Sequence, residues 1–403
     1  MSRSAERLPR GFWFLVAGQA TSLAGNGLQQ IAVPLWIYQR TGSALSAGAA
    51  FAVQFIPMVV FAPWAGHLVD RFDRRRILIG CEVLSGLAVV ALFLAVVEGA
   101  LPVVYLMLAV LRLFNALTMP ALQAASMQLV PESAHRRSAT VIETLLGGIN
   151  TLAPLGGTAL AALLGIEWVL LANLVSFAVA ALLLLPVPVC PGSPELRGAL
   201  GSTLSALVRN GRNGLLRWTA LAEAAYFLLF GADTAVLLIL AEQRLGAEWA
   251  GICATAAGAG WLLASVLLIP RCKHRPVALV TVSALACPVA VLLVVAGAHV
   301  GAVALFPAAM ALGVVNIGVA AGATVIYQEQ VVKGTEGRVF AIRRALLNAM
   351  LTLSYLILPG VAGTWLGITG ALLVFAVATA VVVCLAALVA VRRETPVAEV
   401  SAT

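Results

Sequence analysis

The chain has 403 residues, 62% of them hydrophobic and only 10% charged, and carries a formal net charge of +8. A mean hydropathy of +1.02 excludes a soluble globular protein, in which the apolar share is about 45–50%. The apolar stretches lack the period-two alternation of membrane strands, which excludes a transmembrane β-barrel.

Arg3, Arg7 and Arg10 precede the first apolar run. That run is too long for a signal-peptide core and lacks a small-residue cleavage site, so it reads as a retained helix. Twelve spans are predicted: 11–38, 45–66, 77–97, 101–127, 139–163, 167–188, 217–241, 248–270, 276–297, 301–326, 339–366 and 368–391. Each is long enough to cross a hydrocarbon core of about 30 Å as a helix. With both termini cytosolic, the outer loops keep only Arg40 and Arg244, and Arg112 lies within a span. The other 22 of the 25 basic residues then fall in inner loops, tails and inner span ends. This asymmetry is the positive-inside pattern, so the basic charge sets topology and is no nucleic-acid footprint.

Between the first two predicted groups of six spans lies the longest polar interval. Pro186, Pro188, Pro191, Gly192 and Pro194 open it, and Leu196, Leu200, Leu204, Leu207 and Val208 then share one helical face beside Arg197, Arg209 and Arg212. A surface-lying amphipathic helix fits that pattern. The expected organisation is an all-α polytopic membrane protein. It has a six-helix bundle over 1–188, a linker over 189–216, a second six-helix bundle over 217–391 and a tail over 392–403. The halves echo each other after their first spans, in Gln39-Arg40-Thr41-Gly42 and Gln243-Arg244-Leu245-Gly246. Internal repeats of this kind mark secondary transporters, although a biased composition also produces chance echoes.

The inner loop between spans two and three is the most distinctive segment. It reads Gly66-His67-Leu68-Val69-Asp70-Arg71-Phe72-Asp73-Arg74-Arg75-Arg76, with six charges in the seven positions after Val69. It resembles the loop signature of the major facilitator superfamily, with Gly66, Leu68, Asp70, Arg71, Arg74 and Arg75 on the pattern and Asp73 where a second glycine is usual. Gly18-Gln19 through Pro34-Leu35, Thr41-Gly42-Ser43-Ala44, Asn115 to Pro120 and Glu336-Gly337-Arg338-Val339-Phe340 also agree, and Asp73 is a variant found in the drug-efflux branch that includes macrolide and enterobactin exporters. The resemblance implies two pseudo-symmetric six-helix bundles working by alternating access. It makes Gly66, Asp70, Arg71 and Arg74 a conformational latch on the cytosolic side. The competing reading of the arginines is topology and lipid anchoring, which covers Arg75 and Arg76 but gives no role to an acid.

Arg112 is the one basic residue deep in a span, and such a group needs a partner or water. Its setting resembles the span-four antiporter signature, which implies a part in proton coupling; a structural hydrogen-bond anchor is the alternative. Asp233 and Glu223 lie in span seven, separated by about 15 Å along a helix and about 80° around it. Carboxyls inside a membrane are candidate proton carriers, with Asp233 first and Glu223 second. Glu82 and Glu143 either do the same or bond a loop arginine.

Gln19, Asn26 and Gln30 fall within about 40° of one another on span one. That polar stripe lines a substrate cavity or bonds neighbouring helices, and Asn26 stands where relatives often carry an acid. Asn115, Tyr226, Phe230, Met310 and Asn316 are further cavity candidates. Span five holds Gly148, Pro154, Gly156 and Gly157, resembling the glycine–proline antiporter signature with Ala153 in place of a glycine. Small residues there permit close helix approach, and the proline loosens the backbone ladder.

The six cysteines and four histidines show neither disulfide nor metal-ligand spacing. No Walker loop is present. The expectation is a non-enzymatic, cofactor-free, monomeric multi-pass protein of a bacterial cytoplasmic membrane. It exports a small, largely apolar molecule in exchange for protons. A proton-coupled nutrient importer and a non-transporting receptor or scaffold are the alternatives.

Overall fold

The structure is a computed structural model that describes residues 8–191, 210, 213–231, 233–267, 275–331, 336–362 and 367–393. Among them are thirteen α-helices. The first six are Arg10–Thr41 (α1), Ala44–Arg71 (α2), Arg74–Glu98 (α3), Leu101–Leu129 (α4), His135–Leu164 (α5) and Ile166–Leu184 (α6). The remainder are Gly214–Phe230 (α7), Asp233–Leu245 (α8), Ala247–Leu267 (α9), Pro276–Val300 (α10), Ala302–Gln330 (α11), Glu336–Ala362 (α12) and Gly367–Arg393 (α13). The expected amphipathic linker helix over 196–208 and the tail beyond Arg393 lie outside the described residues. Among the described residues every predicted span is occupied by helix, within a few residues at each end, except at the turn in span seven.

Two boundaries depart from expectation. The charged segment expected as a loop between spans 45–66 and 77–97 is mostly helical: α2 continues to Arg71, and only Phe72 and Asp73 separate it from α3. Span seven, expected as one helix, is divided into α7 and α8, with a turn at Gly231.

The chain forms two compact units, one of Met1–Gly42 with Val53–Arg197 and one of Ser43–Ala52 with Gly198–Thr403. In the first, α1 packs on α4, α5 and α6, and α3 packs on α4 and α6. In the second, α10 packs on α11 and α13, α9 on α11, and α7 on α11, α12 and α13. Seven of the described stretches are long and apolar enough to cross a membrane, including Arg74–Glu98, Pro276–Val300 and Ala302–Gln330. Large apolar side chains point outward, with Leu163 81% and Val303 92% exposed. An outer surface this apolar suits lipid rather than water.

The sequence echo has a structural counterpart. Gly42 ends α1 with φ 64° and Gly246 ends α8 with φ 99°, each donating its N–H four residues back, to Tyr38 O at 2.7 Å and Glu242 O at 2.9 Å. Only glycine enters that left-handed region freely, so both repeats keep it as the helix stop.

Helix approach in the first unit is closest between α1 and α5. A Cβ on Gly157 would lie 1.8 Å from the Leu28 carbonyl oxygen, and one on Gly27 would lie 2.5 Å from Ala153 Cβ. Ala153, which replaces a glycine of the expected signature, is thus accommodated by a glycine on the opposite helix. Gly156 meets only Leu28 Cδ2, at 3.3 Å, and Gly148 meets nothing within 4 Å.

The start of α3 is tied to the chain that follows α6. Asp73 caps α3 through Oδ1, which accepts from Arg75 N at 3.0 Å and also from Cys190 N at 3.2 Å. Arg74 N donates to Cys190 O at 3.0 Å, while the Arg74 and Arg75 guanidinium groups donate to the carbonyls of Pro191 and Leu185. Burial, reinforced by the nearby Asp73 carboxylate, pushes the Cys190 thiol up from its ordinary range, so it is a poor nucleophile near neutrality.

Two expected outcomes follow from this packing. Gly157→Val forces two backbones apart and lowers stability by about 3 kcal/mol; thermal unfolding of the detergent-purified protein reads this, with Gly148→Ala near wild type. Asp73→Ala removes the cap and costs about 1–2 kcal/mol, and it speeds maleimide labelling of Cys190, which stays slow in the wild type at pH 7.

Candidate functional site

The polar groups within each unit are sorted by their partners. In the first unit α1 presents a row of buried polar side chains: Gln19, Ser22, Asn26 and Gln29 are each 4% exposed. A polar group removed from water needs a hydrogen bond to offset its lost hydration. Gln19, Asn26 and Gln29 find theirs on three different helices. Gln19 Nε2 donates to Glu82 Oε1 on α3 at 2.9 Å, and Asn26 Nδ2 makes a long contact of 3.4 Å to Asn115 Oδ1 on α4. Gln29 Oε1 accepts from Asn173 Nδ2 on α6 at 2.8 Å, and Asn173 in turn accepts from Ser176 Oγ at 3.1 Å. Gln30 is half-buried. The stripe therefore serves interhelical bonding at Gln19, Asn26 and Gln29.

Arg112, half-buried on α4, donates from Nε at 3.1 Å and Nη2 at 2.7 Å to Gln54 Oε1 on α2. A neutral amide oxygen thus receives the fork of the guanidinium. Sequence reasoning missed Gln54; the signal was a lone amide in an otherwise apolar second span.

The second unit joins three expected residues directly. Tyr226, at 3% exposure on α7, donates its hydroxyl proton to Asn316 Oδ1 on α11, and Asn316 Nδ2 donates to Asp233 Oδ2 at 2.6 Å. Asp233 is itself 3% exposed and is the first residue of α8. An acid is favoured there because the first-turn amides of a helix have no intrahelical partner. Met310 is half-buried on α11, with its backbone against Gly260.

Glu223 belongs to a separate cluster. Arg343 of α12 grips it with two bonds, Nε to Oε2 at 2.8 Å and Nη2 to Oε1 at 2.6 Å, and Nη2 also reaches Thr324 Oγ1 at 3.0 Å. The guanidinium lies 4.8 Å from the Tyr327 ring centroid and 5.9 Å from that of Phe340. Two-pronged pairing and aromatic stacking are what arginine offers and lysine does not. Arg343 was legible only as an inner, topology-setting charge; its place two turns inside a helix was the overlooked signal.

Of the latch residues, Arg71 is exposed, its guanidinium 5.7 Å from the Phe72 ring centroid, and Arg74 is buried in the junction with residues 190–191. The side chains of Gly66, Asp70, Glu143 and Phe230 lie outside the described residues. Pro154 is buried on α5 beside Gly157. Among the described residues no three His, Cys, Asp or Glu side chains converge as a metal site would require.

Comparison with known proteins agrees with this architecture. The family model described as Major Facilitator Superfamily matches residues 15–345. Macrolide efflux protein A of Streptococcus pyogenes is 34% identical over 159 residues, 39% of this chain and 38% of that protein. The chain thus spans well under half the length of that relative. An uncharacterized MFS-type transporter of Bacillus subtilis, YfiS, is 28% identical over 278 residues, 66% of each chain. The multidrug efflux pump Tap of Mycolicibacterium fortuitum is 36% identical over 122 residues, 30% of each. Among solved structures, the nucleoside transporter NupG superposes with a TM-score of 0.73 at 14% identity, covering 95% of this chain and 100% of that one. A bacterial homologue of the iron transporter ferroportin gives 0.69 at 18% identity, covering 97% and 100%. At such identities the structural likeness speaks for the fold alone. With the family model spanning most of its length, this chain, a multi-pass membrane protein and not an enzyme, belongs to the major facilitator superfamily.

Proposed function

We propose that the protein is a secondary transporter of a bacterial cytoplasmic membrane that exports a small, largely apolar molecule in exchange for protons. The single observation that carries this reading is the Tyr226–Asn316–Asp233 chain at the interruption of span seven. Interrupted helices in transporters place ion and substrate groups where backbone and side-chain polarity is available inside the membrane. Asp233 is buried, bonded by the Asn316 amide and set at the start of α8, and a carboxyl so placed inside a membrane is the candidate proton carrier of this reading.

The names of the efflux relatives support export over import, and the apolar character of the cargo rests on that likeness. Tyr226 and Asn316 would face the cargo with Asp233, so binding and proton exchange would share one hydrogen-bonded set. Arg112 on Gln54 would carry a fixed positive charge in the other unit, and the segment around Asp70 would act as the cytosolic latch. Glu223 stands second to Asp233 as a proton carrier, because losing the Glu223 charge would strand the Arg343 guanidinium.

The decisive experiment uses everted membrane vesicles under an imposed pH gradient, with a macrolide and a lipophilic dye as probes. Asp233→Asn abolishes proton-driven accumulation while membrane insertion remains at the wild-type level; unchanged accumulation would remove Asp233 from the mechanism. A second outcome separates the two acids. Glu223→Gln leaves Arg343 buried without its counter-charge and costs about 3–5 kcal/mol in stability. The double variant Glu223→Gln with Arg343→Met recovers most of that loss in the same thermal assay.

A further inference from the structure

A third buried carboxyl remains outside that reading. Glu82, on α3, is 1% exposed. Its Oε1 accepts from Gln19 Nε2 at 2.9 Å, with the Ser22 hydroxyl beside the carboxyl, and its Oε2 has no hydrogen-bond partner among the described residues. Both neighbours are neutral. The expectation that Glu82 bonds a loop arginine finds no support, since the bonds that the arginines at the start of α3 make go elsewhere. Arg74 and Arg75 hold the carbonyls of Pro191 and Leu185, and Arg76 lies 3.7 Å from Asp73.

The ionisable groups on the elements around it are distant, engaged or uncharged. On α1, Arg10 and Arg40 lie about 14 and 31 Å along the helix from Gln19. On α4, Arg112 is held by Gln54, and Tyr105 has interactions of its own. Glu167 sits in the first turn of α6. On α3 itself, the adjacent Cys81 is a buried free thiol, and Glu98 closes the helix at its far end. One turn before Glu82 and Gln19, Leu78, Leu15 and Val16 enter a close-packed apolar cluster that also takes in Leu122 and Leu184.

We propose that Glu82 is a proton-binding site of the first unit, holding a proton on Oε2 while Oε1 accepts from Gln19. An ionised carboxylate here would face one amide, one hydroxyl and a dry apolar layer, a setting that opposes the charge strongly. As the neutral acid it needs only the acceptor bond that it already has. The proton can leave when water reaches the Gln19–Glu82 bond between α1 and α3, so occupancy of Glu82 reports hydration at that point. Each unit then carries one acid held by a side-chain amide, Asp233 by Asn316 and Glu82 by Gln19.

Infrared difference spectroscopy of the purified full-length protein in liposomes, titrated from about pH 5 to about pH 9, tests this without a transport substrate. It is therefore decided separately from the efflux reading. The background variant Asp233→Asn removes the other acid held by an amide. The expected spectrum keeps a protonated-carboxyl C=O band at neutral pH, which Glu82→Gln eliminates. Gln19→Leu moves the same band to higher frequency, because Oε1 loses its donor. Spectra of Glu82→Gln that superpose on the parent overturn the proposal. Should that variant fail to fold, an unmoved band in Gln19→Leu does the same.

Discussion

A polar group inside an apolar helix bundle has no water to turn to, and the arrangement of both units follows from supplying it with a partner on another helix. Helix α1 is the clearest case. Its amides reach three different helices, through Glu82 on α3, Asn115 on α4 and Asn173 on α6. Apolar packing against lipid is nearly indifferent to rotation of a helix about its axis, because lipid tails are as greasy as leucine. The hydrogen bonds are not indifferent, and they fix which face of α1 turns inward.

The same constraint divides the acids by what they can do. Glu223 is gripped through two bonds by the Arg343 guanidinium, a pairing that fixes its geometry. Asp233 and Glu82 face amides, which tolerate either protonation state. The first arrangement is stiff and braces α7 to α12. The second ties each carboxyl to its neighbour by a single amide bond, a looser hold than the two-pronged one.

Hydropathy made the spans legible, since length and apolar content suffice to locate a helix in lipid. Finer features depended on contacts between residues far apart in the sequence. The segment 66–71 looks like a loop because it is charged and begins with glycine, yet α2 runs through it to Arg71. Asp73 stops the chain there by capping the next helix, and an aspartate before three arginines and an apolar run was a readable cap. The interruption of span seven left only Gly231 followed by Asp233 as a trace, and the acid was read as a mid-span proton carrier rather than as the start of a helix. Arg343 looked like one of many inner cations, and only its distance to Glu223 reveals a paired role. The stripe on α1 was visible as a stripe, but nothing in its spacing revealed that Gln19 would meet an acid and Gln29 an asparagine.

The contact between Leu28 and Gly157 has a mechanical side. With a carbonyl set where a Cβ would lie only 1.8 Å away, no compressible side chain separates the two backbones. Sliding α1 along α5 by about one turn would bring Ala153, Pro154, Leu160 or Ala161 under that carbonyl, and all four carry a Cβ. Axial creep is barred, whereas rotation of the two helices as one rod is not. The amides on α1 therefore keep a constant height relative to α5. When their hydrogen bonds change, it is α3, α4 and α6 that must do the moving.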